Sequence, residues 1–264
     1  MTIRQKRIIV LCLFAVSLLF CVSIGQAQII KQEIPDRLVV LTFDDAVSTR
    51  AEVVAPLLDK YNFGGTFFVC EFPPDFDDKE KYMTWEQIAI LNEMGFEIGN
   101  HTTSHTHVDQ MRESELVKEL IYIEKKGAQM EIPKPTTFAY PAYATAPYAL
   151  DVLEKKKYTF ARVGGGRAYD PQKDHPYLIP SFSTTGTDTA RVIDAFQQAR
   201  DGKIVVMTIH GVPDYAHDWV TTPPGLFKYY LEYLDQHDYA VIALEDLAEY
   251  VNPKEARRLI KPNF

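Results

Sequence analysis

Cysteine and net positive charge are both scarce in this 264-residue sequence. Only three cysteines occur, and two of them, Cys12 and Cys21, lie in an apolar N-terminal run. The remaining Cys70 cannot form an internal disulfide and is expected to pack as a small apolar side chain. The formal net charge at pH 7 is −8. This acidic balance argues against a nucleic-acid partner, which would call for a basic face.

The N-terminal segment has the three-part pattern of a secretory signal peptide. A basic start at residues 4–7 precedes an apolar run over residues 8–24, and small residues then suit a cut after Ala27. The apolar run is short for a bilayer span, which needs about 20 residues. An uncleaved membrane anchor is the alternative. We expect residues 1–27 to be removed, residues 28–264 to form one domain, and the protein to be secreted or periplasmic without stable membrane insertion.

Strand-like and helix-like segments alternate along the rest of the chain. Apolar runs rich in Val, Ile, Phe and Tyr occur at RLVVLTF, GGTFFVCE, FEIGNH, TTFAYP, YTFARVG, KIVVMTIHG and YAVIAL. Helix signals lie between most of them, such as the capping-box spacing of Thr84 and Gln87 with Gly95 as a stop. The alternation predicts parallel strands covered by helices. Seven or eight such units favour a barrel over an open doubly wound sheet.

Ionisable side chains recur where the predicted strands end. Asp44 and Asp45 close the first strand, and His101 follows the third. Arg162 lies in YTFARVG, and His210 ends KIVVMTIHG. In a parallel barrel, the carboxyl ends of the strands meet on one rim, where active sites form. We therefore expect these groups to converge.

His101 and His105 are spaced to share a metal ion. The four-residue spacing would put both rings on one side of a helical turn, and Asp45 could supply a carboxylate from the first strand. Two histidines and one aspartate with open positions are the donor set of a catalytic metal site. A solvated polar turn with incidental histidines is the alternative. His107 is expected to face outward, beyond the turn.

These motifs resemble those of the polysaccharide deacetylases, carbohydrate esterase family 4. LTFDD at 41–45 and EIGNHTTSH at 97–105 look like the first two motifs of that family, and MTIHG at 207–211 resembles its late histidine motif. The resemblance spans roughly residues 38–250. It implies an α/β fold, a distorted (β/α) barrel of about seven parallel strands. It also implies metal-dependent removal of acetyl groups, usually N-acetyl, from a sugar or polysaccharide.

The resemblance also implies a role for each matching residue. One divalent metal, most simply Zn²⁺, would be held by Asp45, His101 and His105. Asp44 would act as the general base, and His210 would protonate the leaving amine. An acetylated glycan would be the substrate.

The sequence departs from the family pattern at two motif positions. Ala46 stands where most relatives have glycine, and Ala139 stands where many have an arginine that pairs with the catalytic aspartate. The tryptophan- and aspartate-bearing motif that often supports the catalytic histidine is not recognisable either. We predict that Arg162 reaches Asp44, directly or through one water, and replaces the missing arginine, since a guanidinium can grip a carboxylate with two parallel hydrogen bonds. Arg167 is the second candidate.

Further residues are expected to contact the substrate. The resemblance implies an oxyanion-binding amide near Ala142. Tyr143, Tyr215 and Trp219 could stack on sugar rings, and Trp219 in the polar stretch HDWVTTPP is the first choice.

Two other functions stay open at the level of sequence. The missing arginine would suit a non-catalytic glycan-binding domain with a vestigial metal site. The spacing of His105 and His107 would suit another metal-dependent amidohydrolase, although it follows the third strand rather than the first.

Overall fold

A computed structural model describes residues 28–72 and 75–264. The predicted signal peptide, with Cys12 and Cys21, lies outside the described residues, so its cleavage stays a prediction. Among the described residues, no helix has the length and apolar character needed to span a membrane.

Eight short strands in the described part of the chain form one sheet, and every strand pairing is parallel. They are β1 (Leu38–Phe43), β2 (Thr66–Val69), β3 (Glu97–Asn100), β4 (Thr137–Ala139), β5 (Phe160–Arg162), β6 (Phe182–Ser183), β7 (Val205–Ile209) and β8 (Ala240–Ile242). The order across the sheet is β5-β4-β3-β2-β1-β7-β6, and β8 pairs with β1. The prediction of a single α/β domain with a distorted barrel is confirmed.

The sheet curls around β1. One edge of β1 pairs with β7 along most of its length. Its other edge pairs first with β8, over residues 38–40, and then with β2, over residues 42–43. Segment 176–181 runs beside β5, with a bridge between Ile179 and Arg162, and continues into β6. Because β6 pairs with β7, this segment links the two sides of the curled sheet.

Helices separate most of the strands. They are α1 (Ala55–Lys60), α2 (Trp85–Glu93), α3 (Glu113–Gln129), α4 (Pro147–Lys155), α5 (Thr189–Phe196), α6 (Pro224–Gln236), α7 (Leu247–Tyr250) and α8 (Pro253–Leu259). A π-helical turn, Arg50–Val54, leads into α1. The predicted capping box is present at the start of α2, where Thr84 and Gln87 exchange side-chain and backbone hydrogen bonds.

The central strands are covered on both faces. Every residue of β1 to β5 and of β7 is buried. This burial explains why β1, β2 and β7 are nearly continuous apolar runs in the sequence. Cys70 directly follows β2 and is buried with a free thiol, as expected for a small apolar side chain.

One buried carboxyl lies at the opposite end of the barrel from the strand ends that carry the predicted site. Glu97 begins β3 and accepts hydrogen bonds from the hydroxyls of Thr66 and Thr137 and from the amide of Glu245. Burial, and then the nearby charge of Glu245, raise the pKa of Glu97 to about 7. Glu97 therefore holds its proton in the folded state at pH values where an exposed glutamate has lost it.

Glu97→Gln should weaken the pH dependence of stability. The folded-state pKa lies above the ordinary value of 4.5, so the stabilising contribution is complete below pH 4.5 and is lost as the pH rises through about 7. A neutral glutamine removes that dependence, which is worth at most about 3 kcal/mol. Urea unfolding of both proteins at pH 5 and pH 8 checks this. Identical changes in the free energy of unfolding would contradict the assignment.

Candidate active site

The predicted functional side chains meet at the carboxyl ends of the strands. Asp44 and Asp45 follow β1, His101 follows β3, and His210 follows β7. These four residues and His105 line a cavity of about 390 Å³. Groups that are distant in the sequence therefore face one another, as expected for a parallel barrel.

Three of these side chains converge on one point. The Oδ1 atom of Asp45 lies 3.3 Å from Nε2 of His101 and 3.4 Å from Nε2 of His105. The three ligand atoms lie within 4.8 Å of one another. Oδ1 of Asp45 is buried and has no hydrogen-bond partner among the described residues. An unpartnered carboxylate oxygen facing two imidazole nitrogens fits a divalent cation.

The hydrogen bonds of His101 favour metal binding through Nε2. Its Nδ1 lies 2.8 Å from the carbonyl oxygen of Ala139. A carbonyl only accepts, so Nδ1 carries the proton and Nε2 presents its lone pair towards Asp45. Burial would lower the pKa of His101, but the charges of Asp44 and Asp45 raise it. A proton therefore competes with a cation for Nε2 at acidic pH.

His105 is neutral near pH 7. Burial, followed by the charge of His101, lowers the pKa of His105 to about 4. The ring of Phe72 packs against it, with centroids 4.8 Å apart. Its lone pair is consequently available over a wide pH range.

A left-handed turn brings His101 and His105 together. Residues 101–107 contain no helix, and Thr102 and His105 have φ angles of 65° and 55°. The hydroxyl of Thr102 accepts a hydrogen bond of 3.1 Å from the amide of His105. The prediction of a helical turn is therefore wrong, because the chain reverses through left-handed residues. His107 is exposed and does not line the cavity, as predicted.

Left-handed residues also occur in the other loops of the site. Asp45 and Ala46 have φ angles of 74° and 50°, and Ala142 and Tyr143 have φ angles of 49° and 61°. Glycine adopts such angles without the steric cost that a Cβ atom brings. This conformation accounts for the glycine that relatives carry at the position of Ala46. Strained backbone of this kind is typical of functional sites, where the surrounding structure holds it in place.

Arg162 contacts the predicted base directly. Its Nη2 donates to both carboxylate oxygens of Asp44, at 2.7 and 2.5 Å, while Nη1 donates to the hydroxyl of Thr208 at 2.8 Å. The contact with Asp44 is direct, but it uses one nitrogen rather than two parallel bonds from two nitrogens, because Thr208 accepts the hydrogen bond from Nη1. The guanidinium is fully buried and lies 5.5 Å from the ring centroids of Phe68 and Tyr143. Its position is thus fixed from several sides.

The register of the sheet explains how Arg162 stands in for the missing arginine. Ala139, at the usual arginine position, ends β4, and its partner across the β4–β5 pair is Arg162. The cation is therefore supplied from the neighbouring strand at the same level of the barrel. Burial alone would raise the pKa of Asp44, but the charge of Arg162, followed by that of His101, lowers it. Asp44 is consequently ionised at neutral pH.

His210 approaches from the β7 side of the cavity. Its Nε2 lies 3.8 Å from Oδ2 of Asp45. Its Nδ1 is buried and has no hydrogen-bond partner among the described residues. Burial lowers the pKa of His210, and the nearby carboxylates oppose this only in part. The imidazole is therefore a weak base with one nitrogen directed towards the site.

The structure adds a histidine that the sequence analysis missed. Nδ1 of His217 lies 3.8 Å from Oδ2 of Asp45 and 3.6 Å from Oδ1 of Asp214. Its Nε2 lies 3.4 Å from the hydroxyl of Tyr82. Asp214 holds the loop by accepting hydrogen bonds from the amides of Gly211 and His217. The only sequence signal was a second histidine shortly after His210 in the same loop.

The aromatic residues proposed for sugar contact differ in position. Trp219 is 70% exposed and lines the cavity, with its ring 5.4 Å from that of His217. Tyr143 also lines the cavity and is 38% exposed, although the guanidinium of Arg162 lies over one face of its ring. Tyr215 is exposed and does not line the cavity. Trp219 thus offers the more exposed of the two aromatic surfaces in the cavity.

The two remaining candidate residues, Ala142 and Arg167, also differ in their position relative to the cavity. Ala142 lies on the cavity wall, while the amide of the next residue, Tyr143, already donates to the carbonyl of Tyr140. Arg167 does not line the cavity and forms an ion pair with Asp174 at 2.7 Å. Arg167 is therefore excluded as a partner of the site in this structure.

Comparisons with known proteins agree with this architecture. The sequence model of a family described as polysaccharide deacetylase matches residues 31–161. The search of curated proteins found no match. A putative polysaccharide deacetylase from Mycobacterium smegmatis has a TM-score of 0.59 at 14% identity, covering 90% of this chain and 96% of that one.

Two further solved structures share the fold. The peptidoglycan deacetylase PdaC from Bacillus subtilis has a TM-score of 0.53 at 18% identity, covering 86% of this chain and 96% of that one. BA3943 from Bacillus anthracis, described as a carbohydrate esterase family 4 pseudoenzyme, has a TM-score of 0.58 at 15% identity, covering 81% and 66% of the two chains. The sequence motifs, the family match over residues 31–161 and the barrel are consistent with a variant of the polysaccharide deacetylase family, carbohydrate esterase family 4, with Ala139 in place of the usual arginine.

Proposed function

We propose that this protein is a metal-dependent hydrolase that removes acetyl groups, in the first place N-acetyl groups, from a glycan. The observation that carries this proposal is the convergence of Asp45, His101 and His105 beside the ionised Asp44, with His210 in the same cavity. The family match over residues 31–161 supports a carbohydrate deacetylase. The fold shared with the peptidoglycan deacetylase PdaC suggests an acetylated amino sugar as the substrate class.

The metal-ligand trio suits one divalent cation. Two imidazoles and one carboxylate leave open positions, and zinc is the simplest occupant of such a set. When bound, the cation would lower the pKa of water towards about 7 and polarise the acetyl carbonyl.

The chain's own residues would then move the protons. Asp44 accepts a proton from the attacking water, and Arg162 keeps that carboxylate ionised and oriented. His210, in its protonated imidazolium form, donates a proton to the amine that leaves the acetyl carbon. The amide of Ala142, a residue on the cavity wall, would donate to the developing oxyanion. Acetate and a free amino sugar are the products.

Acetate release tests the proposal. The purified protein, supplied with zinc, would be incubated with N-acetylglucosamine oligomers, peptidoglycan, acetylated xylan and an acetylated exopolysaccharide. We expect acetate from at least one of them, in proportion to the free amine formed on an N-acetyl substrate. A chelator should abolish the release, and added zinc should restore it. A zinc-loaded protein that releases no acetate from any of the four would overturn the proposal.

A non-catalytic glycan-binding domain is the second candidate. The alanines at positions 46 and 139, together with the fold shared with the pseudoenzyme BA3943, favour it. The contact between Arg162 and Asp44 weighs against it, because the lost arginine has a structural substitute. Glycan binding without acetate release would support this candidate. The amidohydrolase alternative has no structural support, since His107 lies outside the cavity.

Arg162→Lys should already impair turnover. An ammonium group cannot contact Asp44 and Thr208 together as the guanidinium does. We expect a fall of about 10- to 100-fold with metal content unchanged, because a small misplacement of a catalytic group has effects of this size. Without the guanidinium's hydrogen bonds, the carboxylate form of Asp44 is stabilised less, so the pKa of Asp44 should rise and the acidic limb of the pH–rate profile should move to higher pH.

Arg167→Lys is the matched control for this experiment. Arg167 also binds an aspartate, Asp174, but outside the cavity. Its variant should keep the normal rate and pH profile. A normal profile for Arg162→Lys as well would show that the contact with Asp44 has no part in turnover.

A further inference from the structure

A second arginine, Arg50, lies beneath the site with no exposure to solvent. It begins the π-helical turn that follows β1. Its Nη2 donates to the backbone carbonyls of Asp44 and Ile209, at 2.7 and 2.9 Å. Its Nη1 donates to the backbone carbonyl of His210. The guanidinium carbon lies 5.2 Å from the ring centroid of Phe43.

These three acceptors belong to the ends of two paired strands. Asp44 follows β1, while Ile209 and His210 close β7, and the two strands pair up to the register Phe43–Ile209. Beyond that point the ladder supplies one more bond, from the amide of Asp44 to Ile209. Within residues 28–72 and 75–264, Arg50 forms no ion pair, so its whole hydrogen-bonding contribution goes to main-chain carbonyls.

We propose that Arg50 is a positioning residue that fixes the general base and the general acid relative to each other. The inference rests on the proposed function, in which Asp44 takes a proton and His210 gives one. A planar guanidinium can bind carbonyls of both strands in one rigid arrangement, whereas an ammonium group cannot reproduce that fork. By holding the main chain at both residues, Arg50 fixes the distance across which the two side chains work on one substrate.

The neighbouring residue Thr49 links the same loops by hydrogen bonds and provides a matched control. The hydroxyl of Thr49 donates to the carbonyl of Pro213 and accepts from the amide of Val212. Thr49 therefore joins the same two loops without contacting Asp44 or His210. If joining the loops were the whole role of Arg50, variants at both positions would behave alike.

The test compares Arg50→Met, Arg50→Lys and Thr49→Val with the natural protein. For the Arg50 variants we expect kcat to fall, by up to about 100-fold for methionine and less for lysine, with KM and zinc affinity nearly unchanged. The hydrogen bonds of Arg50 hold the main chain at Asp44 and His210, which act during the reaction, and they reach no side chain of the metal ligands or of Trp219. Thr49→Val should lose thermal stability but keep its kcat. Arg50→Lys serves for the comparison if the methionine variant does not fold.

Crystal structures of the same variants provide a readout that does not depend on activity. The separation between the Asp44 carboxylate and the His210 ring should change in the Arg50 variants and stay unchanged in Thr49→Val. An unchanged separation, or a normal kcat in both Arg50 variants, would overturn the inference. If the natural protein releases no acetate, the proposed function fails on its own, and the structural comparison still decides whether Arg50 sets this geometry.

Discussion

Replacing Asp44 by asparagine should lower turnover by about 10²- to 10⁴-fold, the usual contribution of a general base. An amide cannot accept the proton of the attacking water, although it has nearly the same size. Metal content should be unchanged, because the trio of Asp45, His101 and His105 does not include Asp44. Acetate release and elemental analysis of the purified variant measure the two quantities.

Asp174→Asn is the matched control for that variant. Its carboxylate also binds an arginine, but it lies outside the cavity, so turnover should stay normal. His210→Ala should resemble Asp44→Asn on an N-acetyl substrate, because the leaving amine needs a proton. A near-normal rate in His210→Ala would remove the acid role, and a near-normal rate in Asp44→Asn would remove the base role.

Replacing His101 or His105 by alanine should remove metal and activity together. Each substitution deletes one of three donors around the same point. Even the loss of a residue that merely supports a ligand weakens metal affinity by about 10- to 100-fold, so the loss of a ligand should exceed that. Zinc titration by calorimetry and acetate release should show parallel losses.

His107→Ala is the control for the histidine variants. His107 lies a few residues along the same segment but is exposed and outside the cavity. The His107→Ala variant should bind zinc and release acetate at the normal level. Stoichiometric zinc in the double variant His101→Ala/His105→Ala would show that the ligands lie elsewhere.

The barrel and the meeting of its strand ends follow from local sequence. The runs that form β1, β2 and β7 are apolar almost throughout, because helices or neighbouring strands cover both faces. Parallel strands place their carboxyl ends on one rim, so Asp44, Asp45 and His210 were expected to meet. The strand ends could be predicted because burial requires apolar residues along nearly the whole strand, and the apolar run stops where the strand ends.

The contact between Arg162 and Asp44 shows where that reasoning ends. The sequence analysis identified the candidate, because Arg162 closes a strand and Ala139 lacks a side-chain cation. Thr208, on another strand, accepts a hydrogen bond from Nη1 of Arg162. This contact leaves Nη2 to bind Asp44. Strand register decided that Arg162 stands beside Ala139. Register is a property of the paired strands and cannot be read from either segment alone.

The sequence by itself determined the parallel barrel and the candidates for metal ligands, base and acid, since each lies in a recognisable run or motif. Tertiary structure alone decided the left-handed turn that joins His101 to His105, the approach of His217 and the place of Arg50. These features rest on φ angles and on hydrogen bonds to the backbone, which are made to carbonyls by Arg50 and to an amide in the case of His217. Every residue type carries such carbonyls, so their partners leave no pattern in the sequence and are set only when distant segments pack together.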